Sequence, residues 1–131
     1  MVQYIYYDYA ISMVCIVRDT GNEFISATSL EKYFDTICMQ YGSTRKGRID
    51  SFRFVNGSRK FTSIFVNSKL CLLPFPDQKW INFYAIQKYR HEKGFYYIFF
   101  KDGTVLKTEK IHRMNIVLNR TCRFLRVINA Y

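Results

Sequence analysis

Apolar and polar positions along the chain fall into short segments with different periods. Residues 3–7 and 11–18 are rich in Ile, Val, Tyr and Met and predict strands, the second of them β-branched and buried. Residues 19–23 have the composition of a turn. Thr28 and Glu31 then stand at capping-box spacing. Leu30, Phe34, Ile37, Cys38 and Tyr41 follow at three- and four-residue intervals, which predicts a helix over about 29–41. Gly42 suits the left-handed position that closes such a helix.

Residues 42–48 are polar, basic and carry two glycines, and read as a loop. Phe52 and Phe54 alternate with polar positions ahead of Asn56-Gly57, a strong hairpin signal. A second hairpin is expected from 61–66, a turn at Asn67-Ser68 and 70–73, ended by Pro74 and Pro76. Residues 80–89 alternate as one strand, and 95–100, a turn at 101–103 and 104–107 form a third hairpin.

The last segment changes period. Ile111, Met114, Leu118, Thr121 or Cys122, Leu125 and Ile128 share one side of a helix. Arg113, Arg120, Arg123 and Arg126 fall within roughly 140° on the other side. The expected fold class is α+β: a hairpin-rich antiparallel β-sheet that could close like a barrel, one early helix and a C-terminal amphipathic helix.

Charge sharpens this pattern. The chain has 131 residues, net charge +10, 49% hydrophobic and 18% aromatic residues, enough apolar material to exclude a disordered chain. With no repeat and no linker, a single domain over 1–131 is expected. Residues 1–41 hold two basic and five acidic residues, whereas 42–131 hold eighteen basic and five acidic, a balance of +13. A small domain this basic points to a polyanionic partner, nucleic acid foremost.

Other chemistry is sparse. Cys15, Cys38, Cys71 and Cys122 lie in apolar runs without a C-x-x-C pair, and His91 and His112 are remote from them in sequence. Buried reduced thiols of a cytoplasmic protein are expected, with no metal and no cofactor. The chain has no positively charged leader and no apolar run long enough to span a bilayer, so no membrane partner is expected. No carboxylate pair, P-loop or G-x-S-x-G pattern suggests catalysis.

Arg45-Lys46-Gly47-Arg48 is a candidate flexible arm for a narrow A·T-rich minor groove, where negative potential attracts arginine. The arginines of the terminal helix are candidates for successive phosphates. Tyr96, Tyr97, Phe99 and Phe100 could stack single-stranded bases, but no RNP-type pattern surrounds them, and a packed sheet core accounts for them more simply.

Several segments occur in a telling order. Tyr41-Gly42-Ser43-Thr44 runs into the basic residues 45–48. The stretch 64–76 ends in Leu73-Pro74-Phe75-Pro76. Then come Trp80-Ile81, the Asp102-Gly103-Thr104 turn, and Asn119-Arg120-Thr121 continuing through Leu125-Arg126. Over residues 10–128 this succession resembles the ComK family of competence transcription factors from low-GC Gram-positive bacteria. The resemblance implies an activator of DNA-uptake genes that binds A·T-rich double-stranded DNA through the minor groove as a homo-oligomer, dimer or tetramer. It implies DNA contact by Arg45, Lys46, Arg48, Arg120 and Arg126. Charge and helix face alone add Arg53, Arg59, Lys60, Arg113 and Arg123. Longer family members continue past the position of Tyr131 into a tail read by a proteolytic adaptor, so that adaptor is not an expected partner.

The expected function is therefore that of a non-enzymatic DNA-binding activator. Two alternatives fit the same composition. One is a small basic RNA-directed nuclease toxin, which would need His112 or a tyrosine as acid/base beside an arginine cluster. The other is a barrel-like protein-interaction module closed by its terminal helix.

Overall fold

A computed structural model describes residues 1–76, 78–109 and 113–130. The order of elements is β1 (Val2–Asp8), β2 (Met13–Arg18), β3 (Gly21–Ser26), α1 (Leu30–Gln40), α2 (Arg45–Asn56), β4 (Ile64–Asn67), β5 (Leu70–Phe75), β6 (Lys79–Asn82), a 3-10 turn (Phe83–Ala85), β7 (Ile86–Glu92), β8 (Phe95–Phe100), β9 (Val105–Glu109) and α3 (Met114–Val127). The α+β expectation holds, with three helices rather than two and no closed barrel among the described residues. Instead there are two open antiparallel sheets, one of six strands in the order β3-β2-β1-β6-β5-β4 and one of three in the order β7-β8-β9.

Local chemistry explains the elements. Ser29, not Thr28, caps α1, its hydroxyl accepting the Lys32 N–H at 3.2 Å. Gly42 closes α1 at φ +89, where Gly42 N–H donates to the Met39 carbonyl and Ser43 N–H to the Cys38 carbonyl, the paired bonds of a left-handed helix cap. The Leu30, Phe34, Ile37 and Cys38 side of α1 covers one face of the large sheet, packing on Ile5, Val14, Ile16, Ile64 and Leu72. Leu73, next in the chain, faces the opposite side and packs with Ile81, Tyr96, Ile98, Phe100, Met114 and Val117. The second sheet and α3 thus cover the other face. Cys15, Cys38 and Cys71 are buried thiols, and Cys122 is only half-buried.

Three expectations fail. The stretch 42–48 and the strand-and-hairpin expected through Asn56-Gly57 are instead the start, body and end of α2. Thr44 caps it by accepting the Gly47 N–H at 2.9 Å, and Gly57 ends it at φ +63. A left-handed glycine serves a helix end as well as a hairpin, so the Asn-Gly signal was ambiguous. Residues 21–26, within and beyond the expected turn, form the exposed edge strand β3. The single strand expected over 80–89 is broken by the turn at Phe83–Ala85, so β6 and β7 belong to different sheets.

Asn82 makes that break. Its Oδ1 accepts the N–H groups of Cys71 (3.1 Å) and Tyr84 (3.3 Å), and its Nδ2 donates to the carbonyls of Val2 (2.7 Å) and Lys69 (3.0 Å). A fully buried amide with all four bonds made anchors the chain where it leaves one sheet for the other.

Candidate nucleic-acid interface

The expected basic arm is helical, and all three of its cations are paired within the chain. Counting 100° per residue, Arg45 and Arg48 share the side of α2 that carries Ile49, Phe52, Val55 and Asn56. Arg45 Nε lies 2.8 Å from Asp35 Oδ1 on α1. Arg48 donates through Nη2 to the Tyr41 carbonyl at 2.9 Å, and its guanidinium sits 5.2 Å above the Phe65 ring, with Nε buried and without a hydrogen-bond partner. Lys46 points outward beside Asp50, 2.9 Å away. These residues tie the start of α2 to its surroundings rather than form a mobile arm.

The cations gather instead where α2 ends and meets α3. The two helices pack through Phe52 and Phe124, ring centroids 5.3 Å apart, and through Asn56, whose Nδ2 donates to the Arg120 carbonyl. The connection 57–63 is stitched between them. Arg53 Nε donates to Thr62 Oγ1 (3.2 Å), and that hydroxyl donates to the Arg59 carbonyl (3.3 Å). Arg120 Nη1 donates to the Lys60 carbonyl (3.0 Å) with its guanidinium 5.8 Å over the Phe61 ring. A buried hydroxyl pair, Ser63 and Thr121 at 2.9 Å, closes the seam.

Phe61 adopts φ +54, a left-handed conformation that costs a bulky residue about 1–2 kcal/mol and persists only where its neighbours enforce it. The result is a fixed connection that presents the exposed side chains of Arg59 and Lys60.

Of the ten candidate cations, Arg53 and Arg120 are tied by hydrogen bonds to the 57–63 connection, on which the side chains of Arg59 and Lys60 are exposed. Arg123 lies one helical turn beyond Arg120, exposed, with Arg126 one turn further. Arg113 stands apart at the N-cap of α3, about 10 Å from Arg120 along the axis at 1.5 Å per residue. The apolar side of α3, Met114, Val117, Phe124 and Leu125, is buried in the protein.

One residue absent from the sequence-based candidates lies beside Arg53 and Arg59, on the side of α2 turned away from α3. Phe54 is 88% exposed and borders a shallow depression with Asp50, Arg53, Ser58 and Arg59. Its alternation with Phe52 suggested a strand. On a helix the same spacing puts one ring inside and the other in water.

Titration at the neighbouring groups follows burial. The Cys38 thiol is pushed up by burial, with Arg48 opposing the shift, and the Tyr84 hydroxyl is raised to about 12 by burial and then by Cys71. Among the described residues no cluster of three or more His, Cys, Asp or Glu could hold a metal. His112, on which the nuclease alternative depends, lies outside the described residues, as does Ile111. No described helix is long and apolar enough to cross a membrane.

Fold and surface together define a two-sheet α+β protein with a cationic seam between two helices. No family model, curated protein or solved structure matches the chain.

Proposed function

We propose that the chain is a non-enzymatic DNA-binding protein whose seam of α2, residues 57–63 and α3 engages A·T-rich duplex DNA. The observation that carries this reading is the connection 57–63, tied to Arg53 on one helix and to Arg120 on the other, with Arg59 and Lys60 exposed on it. Arginine and lysine supply phosphate affinity by counterion release. A minor groove about 6 Å wide does not admit a helix, so only side chains enter it. In this reading Arg59 and Lys60, exposed on the 57–63 connection, do so in place of the arm expected at 45–48. Phe54 is of the type that wedges between base steps and kinks a duplex. The resemblance to ComK, with the activation of DNA-uptake genes and the homo-oligomer it implies, supports this same reading.

The test is equilibrium binding to A·T-rich and G·C-rich duplexes over a range of salt. Preference for A·T-rich DNA is expected, with a salt slope that falls by about 2 when Arg59 and Lys60 are both changed to Ala, near 0.9 per phosphate contact. Equal affinity for both duplexes, or an unchanged slope in the variant, would overturn the proposal.

A further inference from the structure

The outer face of the small sheet carries a second arrangement that the seam does not use. Strand β8 directs Tyr96, Ile98 and Phe100 into the core and Phe95, Tyr97 and Phe99 to the opposite face, half-exposed. The register sets Lys88 opposite Phe99, Arg90 opposite Tyr97 and Glu92 opposite Phe95 on β7. On β9 it sets Val105, Lys107 and Glu109 opposite the same three rings. The face is thus a grid of three by three, with a central row of rings.

The cations lie over the rings. Lys107 Nζ is 4.1 Å from the Phe95 centroid and 5.9 Å from that of Tyr97. The Arg90 guanidinium is 5.3 Å from Tyr97 and 5.8 Å from Phe99, and Lys88 Nζ is 5.1 Å from Phe99. Lys88, Arg90 and Lys107 are all exposed. Both carboxylates, Glu92 and Glu109, stand at the Phe95 end, with Glu92 3.3 Å from Arg90.

We propose that this face binds single-stranded nucleic acid, with bases on Tyr97 and Phe99 and phosphates on Lys88, Arg90 and Lys107. A solvated sheet face needs no unbroken row of aromatic rings, whereas base stacking does. Alternate residues on a strand stand about 6.6–6.8 Å apart, roughly twice the 3.4 Å rise of stacked bases. Neighbouring nucleotides must therefore be splayed, one base to each ring, which a single strand permits and a duplex forbids. Long cationic side chains resting on the rings can swing to the phosphates as bases take their place, and the Arg90 guanidinium can stack on a base in turn. The two glutamates repel phosphate from the Phe95 end and confine the strand to the Tyr97–Phe99 end.

The test uses the intact chain and a fluorescent oligo(dT) of about twelve nucleotides, within the usual span of such sites. Its affinity is compared with that for a duplex of similar length. Changing Tyr97 and Phe99 together to Leu keeps apolar cover on the sheet while removing the rings. Oligo(dT) affinity is expected to fall at least roughly fivefold, the lower limit for one lost stacking contact, with duplex affinity and melting temperature unchanged. In parallel, ultraviolet cross-linking of oligo(dT) to the unaltered protein is expected to label Tyr97 or Phe99. Unchanged oligo(dT) affinity in a folded variant, an equal loss on duplex, or cross-links confined to other residues would overturn the proposal. So would a dimer that the variant abolishes without any binding of oligo(dT), since the face would then be a contact between copies. Because duplex binding is measured separately, failure of this proposal leaves the reading of the α2–α3 seam standing, and the reverse.

Discussion

Changing Asn82 to Ala should be among the most damaging single substitutions in this protein. The amide joins four backbone groups: Cys71 N–H, Tyr84 N–H and the carbonyls of Val2 and Lys69, at 2.7–3.3 Å. A hydrogen bond contributes about 0.5–1.5 kcal/mol net, and a buried group left unpaired costs about 1–3 kcal/mol. At about 1 kcal/mol for each of four bonds, the expected loss is about 4 kcal/mol, a large share of the 5–15 kcal/mol typical of a domain. Near 4 °C per kcal/mol for a chain of this size, the melting temperature should drop by roughly 16 °C. Urea unfolding followed by circular dichroism measures this directly, and the slope with urea should be unchanged.

Asn82→Asp refines the test. It preserves volume and the two accepting bonds, but it sets a carboxylate oxygen against the Val2 and Lys69 carbonyls. Folding then favours the protonated acid, so its folded-state pKa rises above about 3.9. The side chain's contribution is present below the unfolded pKa and is lost as pH rises through the folded one. The Asp variant should therefore approach wild-type stability only in acid. A loss under about 1 kcal/mol for Asn82→Ala, or an Asp variant insensitive to pH, would refute the reasoning.

Two further outcomes test the helices. Thr44→Ala should cost about 1 kcal/mol, because it removes the side-chain acceptor for Gly47 N–H at the start of α2, and Thr44→Asp should restore it. If residues 42–48 were a loop, urea titration would find Thr44→Ala within about 0.5 kcal/mol of neutral. Tyr84 donates its hydroxyl proton to the Ala130 carbonyl at 2.6 Å, and its pKa is raised to about 12. A raised pKa means that stability is present below the unfolded value near 10 and is lost between about 10 and 12 as the proton leaves. Tyr84→Phe should therefore lower stability at neutral pH and flatten its decline over that alkaline range in a melting series.

What could be read from the sequence was local. The hairpin of β4 and β5 follows from Asn67, whose Oδ1 accepts the Lys69 N–H, and the β8–β9 turn from Asp102, whose Oδ1 accepts the Thr104 N–H and hydroxyl. The apolar side of α3 was legible in part: Met114, Thr121 and Leu125 are buried as expected, whereas Ile128 is exposed and Val117 and Phe124 are buried without having been expected. The failures share a cause. For α2, the alternation of Phe52 with Phe54 imitates a strand while Arg48, Ile49, Phe52 and Val55 keep helical spacing, and packing on Phe124 decides between them. Strand β3 is an exposed edge with no apolar alternation to announce it. The break after β6 depends on Asn82 reaching Val2, far away in sequence.

The candidate site divides in the same way. Its residue types were visible as a basic two-thirds of the chain, but which cations would be spent on holding helices was not. Arg45 and Arg48 look like Arg59 in composition, and only Asp35, Tyr41 and Phe65 make them different. Of Tyr96, Tyr97, Phe99 and Phe100, which the sequence assigns to the core, only Tyr96 and Phe100 are buried.

The order of strands in the large sheet also bears on how the chain assembles. It is two locally folded halves, β1–β3 and β4–β6, joined by the pairing of Tyr4 with Ile81 and Ile5 with Trp80. Each half can form from neighbouring segments, but the join must close a loop of most of the chain and is the slow kind of step. Until residue 82 has left the ribosome, β1 is an open strand edge with nothing to cover it. A nascent or partly unfolded chain is therefore most exposed to mispairing with another copy along β1 and β6, the two strands that lie innermost once the sheet is complete.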